Sequence, residues 1–197
     1  MTDAGRDAAR WIVRRIRVDE WARVRVLRIE ALRDPVADIA FLGSAESAER
    51  QPDGFWMDRT TTAASGDAVA QFVAEAAPED TPEDATGDAD REWIGTATVL
   101  RRLAGDIDHL DRVLDASRSD VVGVYVAPSA RGGGAIDALL DACAEWARGL
   151  GDDALTLDVH VDNARAEAAY VRAGFARTGV EMTGPIGDER ELRRALR

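Results

Sequence analysis

The sequence predicts an α/β domain of the α+β kind, with a mixed, mostly antiparallel twisted sheet of about six to seven strands flanked by helices. Three stretches carry this prediction. Val121-Val122-Gly123-Val124-Tyr125-Val126 is an apolar, β-branched run that Pro128 stops; Gly132-Gly133-Gly134 then turn the chain into a helix-forming segment, Ala135 to Arg148. Leu155, Leu157, Val159 and Val161 alternate with Thr156, Asp158 and His160, the period of a strand. Two strands separated by a helix are expected to run parallel, with that helix as the crossover. Finally, 68–76 (AVAQFVAEA) and 93–103 (WIGTATVLRRL) read as an antiparallel pair.

In chain order, residues 1–10 are polar and expected to fray. Trp11 to Arg17 is a first strand. Asp19 is a candidate cap for an amphipathic helix bracketed by Glu20 and Glu30, with Trp21, Val24, Leu27 and Leu32 at helical spacing. Asp34-Pro35 ends it. Short helix-like pieces follow at 36–41 and 45–50, then turn chemistry at 51–54 and another short helix from Phe55. Residues 77–91 hold two prolines, many acids and no aromatic, so they read as a mobile acidic loop. Residues 105–120 form a polar connector in which Leu110, Val113 and Leu114 suggest a helical turn. The helix from Ala135 sets Ile136, Leu139, Leu140, Cys143 and Ala147 against Asp137, Asp141 and Glu145, and Gly149 and Gly151 end it. Asp162-Asn163 opens a helix from Ala164 to Ala173, followed by Gly174, a strand from Phe175 to Glu181, a loop at 184–188 and a last strand, 191–196.

The 197 residues, 46% hydrophobic and 31% charged, suit a single domain spanning 1–197. The net charge of −12 argues against a nucleic-acid partner. An acidic pocket mouth would steer cationic ligands inward. The lone Cys143 excludes an intramolecular disulfide and reads as core filler. No apolar run approaches a membrane span, and no signal-peptide segment opens the chain, so a cytoplasmic protein without a membrane partner is expected.

A glycine turn entering a helix aims unpaired backbone N–H groups at an anion. A nucleotide-binding P-loop needs Gly-Lys-Ser/Thr, yet Ala135 and Ile136 follow Gly134 and the chain has no lysine. A dinucleotide fingerprint needs a third glycine where Asp137 stands. The loop resembles instead the pyrophosphate loop of the GCN5-related N-acetyltransferases (GNAT), Arg/Gln-x-x-Gly-x-Gly/Ala. Arg131 and Gly134 match it, while Ile136 departs at the last position. Val126-Ala127-Pro128 precedes it as in that family. Downstream, Asn163, Ala166, Tyr170 and Gly174-Phe175 are similar to the family's Asn-x-x-Ala-x-x-x-Tyr…Gly-Phe signature. In the N-terminal half, Asp34-Pro35 and Phe41-Leu42-Gly43-Ser44 resemble the family's acceptor-pocket region.

The resemblance implies a central parallel strand pair that splays apart, with acetyl-CoA as cosubstrate in the gap. Backbone groups of Val124, Tyr125 and Val126 would then bond the pantetheine and the thioester carbonyl. The pyrophosphate would lie over Arg131, Gly132, Gly133, Gly134, Ala135, Ile136 and Asp137, with Asn163 also on the cofactor side. Tyr170 is the implied general acid for the leaving thiolate. The base is open between Asp158, His160 and water, with Glu92 and Asp120 more distant and His109 read as solvated. No metal is called for. The implied activity is N-acetylation of a primary amine of a small molecule or peptide by direct attack in a ternary complex. The alternative is a degenerate CoA-binding sensor, and a homodimer is left open.

Overall fold

The computed structural model describes residues 11–76 and 91–196. The expected frayed segment 1–10 lies outside them, as does the expected mobile loop 77–91 up to residue 90. The strands are β1 (Trp11–Arg15), β2 (Val69–Ala76), β3 (Trp93–Arg102), β4 (Arg118–Val126), β5 (Ala154–His160), β6 (Ala176–Gly184) and β7 (Gly187–Ala195). They form one sheet in the order β1-β2-β3-β4-β5-β7-β6. Every neighbouring pair is antiparallel except β4 with β5.

The helices are α1 (Trp21–Leu32), α2 (Ala45–Glu49), α3 (Asp53–Ala64), α4 (Ala135–Gly149) and α5 (Ala164–Arg172). The period of two along β2 divides the core. Ala70, Phe72 and Ala74 pack with α4 on one face, and Val73 packs with α1 and α3 on the other. α4 is the crossover between β4 and β5. It buries Ala135, Leu139, Leu140, Cys143, Ala144 and Ala147, the stripe expected of a core-facing helix. Leu139 is fully buried. Leu139→Ala is therefore expected to lower unfolding free energy by about 2.7–5 kcal/mol, read from urea denaturation.

Several expectations are corrected. Asp19 caps no helix. It sits inside a 3₁₀ turn, Val18–Glu20, that Glu20 closes by accepting the Arg17 N–H at 2.7 Å. Arg14 pins the buried Glu20 carboxylate at 2.6 and 2.9 Å, which makes it the available acceptor. The piece at 36–41 holds only a 3₁₀ turn, Ala37–Ile39. α3 starts two residues early, at Asp53, because Pro52 and an acid in the first turn also suit a helix start. The connector 105–117 has no helical turn and instead forms a bridge between Ile107 and Val113. β4 begins at Arg118, because Arg118, Ser119 and Asp120 all find partners inside: Ser119 donates to Asp152 at 2.6 Å, and Arg118 pairs with Asp108 and Asp120. The expected loop 184–188 is mostly the tight end of the β6–β7 hairpin, with Gly187 at φ +117°.

Candidate active site

β4 and β5 pair only at Ser119↔Leu155 and Asp120↔Thr156, their N-terminal ends. Beyond that point the expected splay is present. The β5-facing edge of β4 from Val121 to Val126 has no paired strand among the described residues, and a cavity of about 1010 Å³ opens there. That volume holds a ligand of some size.

A bulge re-aims β4 at the cavity. Thr96 pairs with Tyr125 and Thr98 with Val122, so Gly123 and Val124 together face the single residue Ala97. Gly123 adopts φ +61°, which glycine alone takes without strain. The extra residue reverses the alternation: Val121 packs toward α4 before the bulge, Val124 and Val126 after it, and Tyr125 turns to the opposite core. Val124, Tyr125 and Val126 all line the cavity.

The glycine loop closes one end. Gly132 and Gly134 have φ +78° and +84°, and a Cβ on either would meet nothing within 4 Å. Gly134 is the N-cap of α4, and no side chain caps that terminus. Gly132, Gly134, Ala135 and Ile136 line the cavity, so the positive end of a 15-residue helix opens into it. Gly133 and Asp137 are not on the wall. Gly133 accepts the Trp11 indole N–H at 2.6 Å, and Asp137 lies 3.7 Å from Arg172. Arg131 lines the cavity but is engaged. Its Nε donates to the Val126 carbonyl at 2.9 Å, and its Nη2 pairs with Asp34. Burial alone would raise the Asp34 carboxyl, yet the Val36 N–H and the Arg131 guanidinium hold it below the usual range. Asp34 thus ties the end of α1 to the loop.

From α5 come Asn163 and Tyr170. Asn163 caps the helix by accepting the Ala166 N–H at 3.2 Å. Tyr170 sits on the inner face beside Phe175, ring centroids 6.1 Å apart. It lines the cavity, and among the described residues its hydroxyl makes no hydrogen bond. Burial pushes its phenol up to about 12, so the group stays protonated.

Across the gap, Asp158 and His160 share a face of β5, both on the cavity. Asp158 Oδ2 lies 3.0 Å from His109 Nε2, and its Oδ1 is buried without a partner. Burial pushes Asp158 up to about 6 against the pull of His109, and Glu189, Glu191 and Asp120 add to the rise. His109 is exposed, as expected, and is in addition a partner of this carboxylate. Its loop is fixed by Asp108, which accepts the N–H groups of Leu110 and Arg112 and the Arg112 guanidinium. Burial raises the Asp108 carboxyl, and those donors outweigh it and bring it down to about 2. No pattern in the connector pointed to His109. His160 Nδ1 accepts the Asp162 N–H at 3.1 Å, so its neutral ring carries the proton on Nε2 and offers no lone pair to an amine. Asp120 lines the cavity but pairs with Arg102 and Arg118 and accepts from Thr156. Glu92 is exposed and off the wall.

The cavity wall also holds residues that sequence reasoning missed: Arg28 of α1, Arg59 of α3, and Ile186 and Glu189 from the β6–β7 hairpin. Val36, Ile39, Phe41 and Leu42 line the same cavity.

Asp158 gives a signed pH expectation. The carboxylate is ionised only above about 6, so a rate that depends on it as base climbs as pH rises through that value. Stability moves the other way. An unfolded aspartate titrates near ~3.9, so between about 4 and 6 the fold holds the extra proton and loses stability as pH rises. Asp158→Asn is expected to remove the ascending limb of kcat/KM near pH 6 and flatten the stability slope in the same window.

The sequence profile of the acetyltransferase (GNAT) family matches residues 49–175, more than half of the chain. No curated protein matches. Solved structures share the fold. A GNAT-family acetyltransferase from Streptococcus pneumoniae is 16% identical over 94% of this chain and 98% of its own, with a TM-score of 0.65. A spermidine N-acetyltransferase from Vibrio cholerae, in complex with CoA and spermine, is 15% identical over 95% and 96%, TM-score 0.64. NAA60 of Arabidopsis thaliana, in complex with a bisubstrate analogue, is 15% identical over 94% and 98%, TM-score 0.62. With the splayed β4–β5 pair, the bulge and the open glycine loop in place, the profile match shows that the chain belongs to the acetyltransferase (GNAT) family of enzymes.

Proposed function

We propose that this protein is an acetyl-CoA-dependent N-acetyltransferase that acts on a primary amine of a small molecule or peptide by direct attack in a ternary complex. One observation carries the reading: the unpaired edge of β4, the uncapped start of α4, Asp158 and Tyr170 all face the same cavity. The residues present fit the cosubstrate. Gly132 and Gly134 leave open space where any side chain would project, which suits a pyrophosphate against the backbone. Bound acetyl-CoA supplies the acetyl group as an activated thioester.

The chain's own groups do the rest. Backbone N–H groups of β4 beside the bulge at Gly123–Val124 would stabilise the thioester carbonyl oxygen as it gains negative charge. Asp158, ionised near neutral pH, accepts the ammonium proton of the acceptor directly or through one water. Tyr170 holds a proton for the departing sulfur. Holding both substrates in line contributes about 7–11 kcal/mol of the barrier reduction.

The test is free CoA released from acetyl-CoA with a panel of amines, followed by initial-rate kinetics. Intersecting double-reciprocal lines are expected. Parallel lines would replace direct attack with an acyl-enzyme. CoA binding without turnover on any amine would favour the sensor alternative.

A further inference from the structure

Arg28 and Arg59 stand side by side on the acceptor wall. Both line the main cavity, and both line a smaller void of about 20 Å³ beside it. Gly123 of the bulge lines the same two spaces, which sets the arginines next to the reacting centre. Arg28 lies over the Phe41 ring at 4.8 Å and donates to the Leu42 carbonyl at 3.2 Å, contacts that fix its plane without neutralising it. Among the described residues, Arg59 has no hydrogen bond or ion pair, and no carboxylate pairs with Arg28.

The nearby acids are taken. Asp34 pairs with Arg131, and Glu30 accepts the Tyr125 hydroxyl at 3.0 Å. Burial lowers the basicity of both guanidiniums, and repulsion from Arg59 lowers that of Arg28 further. Arg59 is exposed and Arg28 half-buried, so water screens their repulsion in part, and an anion between them would relieve it further. The same cavity also carries the other sign, with Asp158 and Glu189.

We propose that the acceptor is an amine that also carries an anionic group, a carboxylate or phosphate, held by Arg28 and Arg59 while its ammonium faces Asp158. This rests on the acetyl-transfer reading above and names its substrate class. It reverses the sequence expectation of a cationic acceptor: overall charge sets long-range attraction, whereas the wall beside the bulge decides what fits. Paired guanidiniums bind oxyanions with short, charge-assisted hydrogen bonds.

The experiment compares amino acids and O-phosphoethanolamine with matched neutral amides and esters and with spermidine, using the full protein and saturating acetyl-CoA. An anionic amine is expected to exceed its neutral counterpart and spermidine in kcat/KM by about 10–100-fold. The amino-acid and phosphate arms tell the two oxyanions apart. Arg59→Gln should raise the anionic acceptor's KM by a similar factor with acetyl-CoA affinity held, and Arg59→Lys should restore part of it. Neutral or cationic amines matching the anionic ones would overturn the proposal while acetyl transfer stands. An Arg59→Gln effect confined to acetyl-CoA would overturn it in favour of a cosubstrate phosphate contact. If no amine releases CoA, acetyl transfer falls, and thermal melting of the CoA-loaded protein with N-acetylglycine decides the site. Protection of wild type but not of Arg59→Gln supports it, and no protection of either overturns it.

Discussion

Gly134→Asp is expected to raise the dissociation constant for acetyl-CoA by about 10³-fold or more while leaving the fold intact. Gly134 lines the cavity at the N-cap of α4, and a Cβ built there meets no atom within 4 Å. The new side chain therefore projects into ligand space. Its left-handed φ of +84° costs a non-glycine residue about 1–2 kcal/mol, and aspartate is among the residues that tolerate it best. Aspartate is also a favoured N-cap, which offsets part of that cost. Toward a pyrophosphate the effect is one-sided. Two unit charges ~4 Å apart at an effective dielectric of 20 repel by about 4 kcal/mol, close to three decades in affinity. Gly133→Ala supplies the contrast. Its Cβ would meet the Trp11 ring at 2.9 Å, so that change is expected to lower the melting temperature, because Gly133 is off the cavity wall. Calorimetry with acetyl-CoA and thermal melting by circular dichroism separate the two. Unchanged affinity in folded Gly134→Asp protein would remove the loop from the binding site.

Elements with strong periodicity were legible in the sequence, and so were the groups bound to a local motif. The alternation of 155–161 and the apolar stripe of 135–148 returned as β5 and α4, because side-chain burial in both follows the backbone period. Gly132 and Gly134 were readable because only backbone geometry is asked of them. What the sequence hid depends on contacts between distant segments. Arg118, Ser119 and Asp120 look like connector residues until Asp108 and Asp152 arrive as partners from elsewhere in the chain. His109 meets Asp158, 49 residues later, only because the connector before β4 folds back against β5. Arg131 fits a phosphate-binding motif in sequence, yet Asp34, 97 residues earlier, engages it. Arg28 and Arg59 belong to no local motif. Their meaning lies in what does not face them, and that is a property of the folded wall rather than of any local pattern.

Tyr170→Phe is expected to slow acetyl transfer by about 10²–10⁴-fold with little change in folding or in acetyl-CoA affinity. The ring stays, and with it the packing against Phe175 and the α4 core. The hydroxyl makes no hydrogen bond among the described residues, so its removal strands no buried partner. The phenol, raised to about 12 by burial, is protonated at every pH where the enzyme works, and a thiol titrates near ~8.5. A neutral phenol is thus a weak acid in the ground state. It becomes a useful donor only as the carbon–sulfur bond breaks and negative charge gathers on sulfur. An interaction made only at that stage lowers kcat and kcat/KM together and leaves KM alone. The expected factor corresponds to about 2.7–5.4 kcal/mol of transition-state stabilisation. Single-turnover rates are the proper measurement, since slow product release would mask a change in the chemical step. Rates equal to wild type would make Tyr170 a packing residue and give the proton to water. A slowed rate that a thioester with a more acidic thiol restores would identify protonation of sulfur as the step the hydroxyl serves, because a better leaving group needs the proton less.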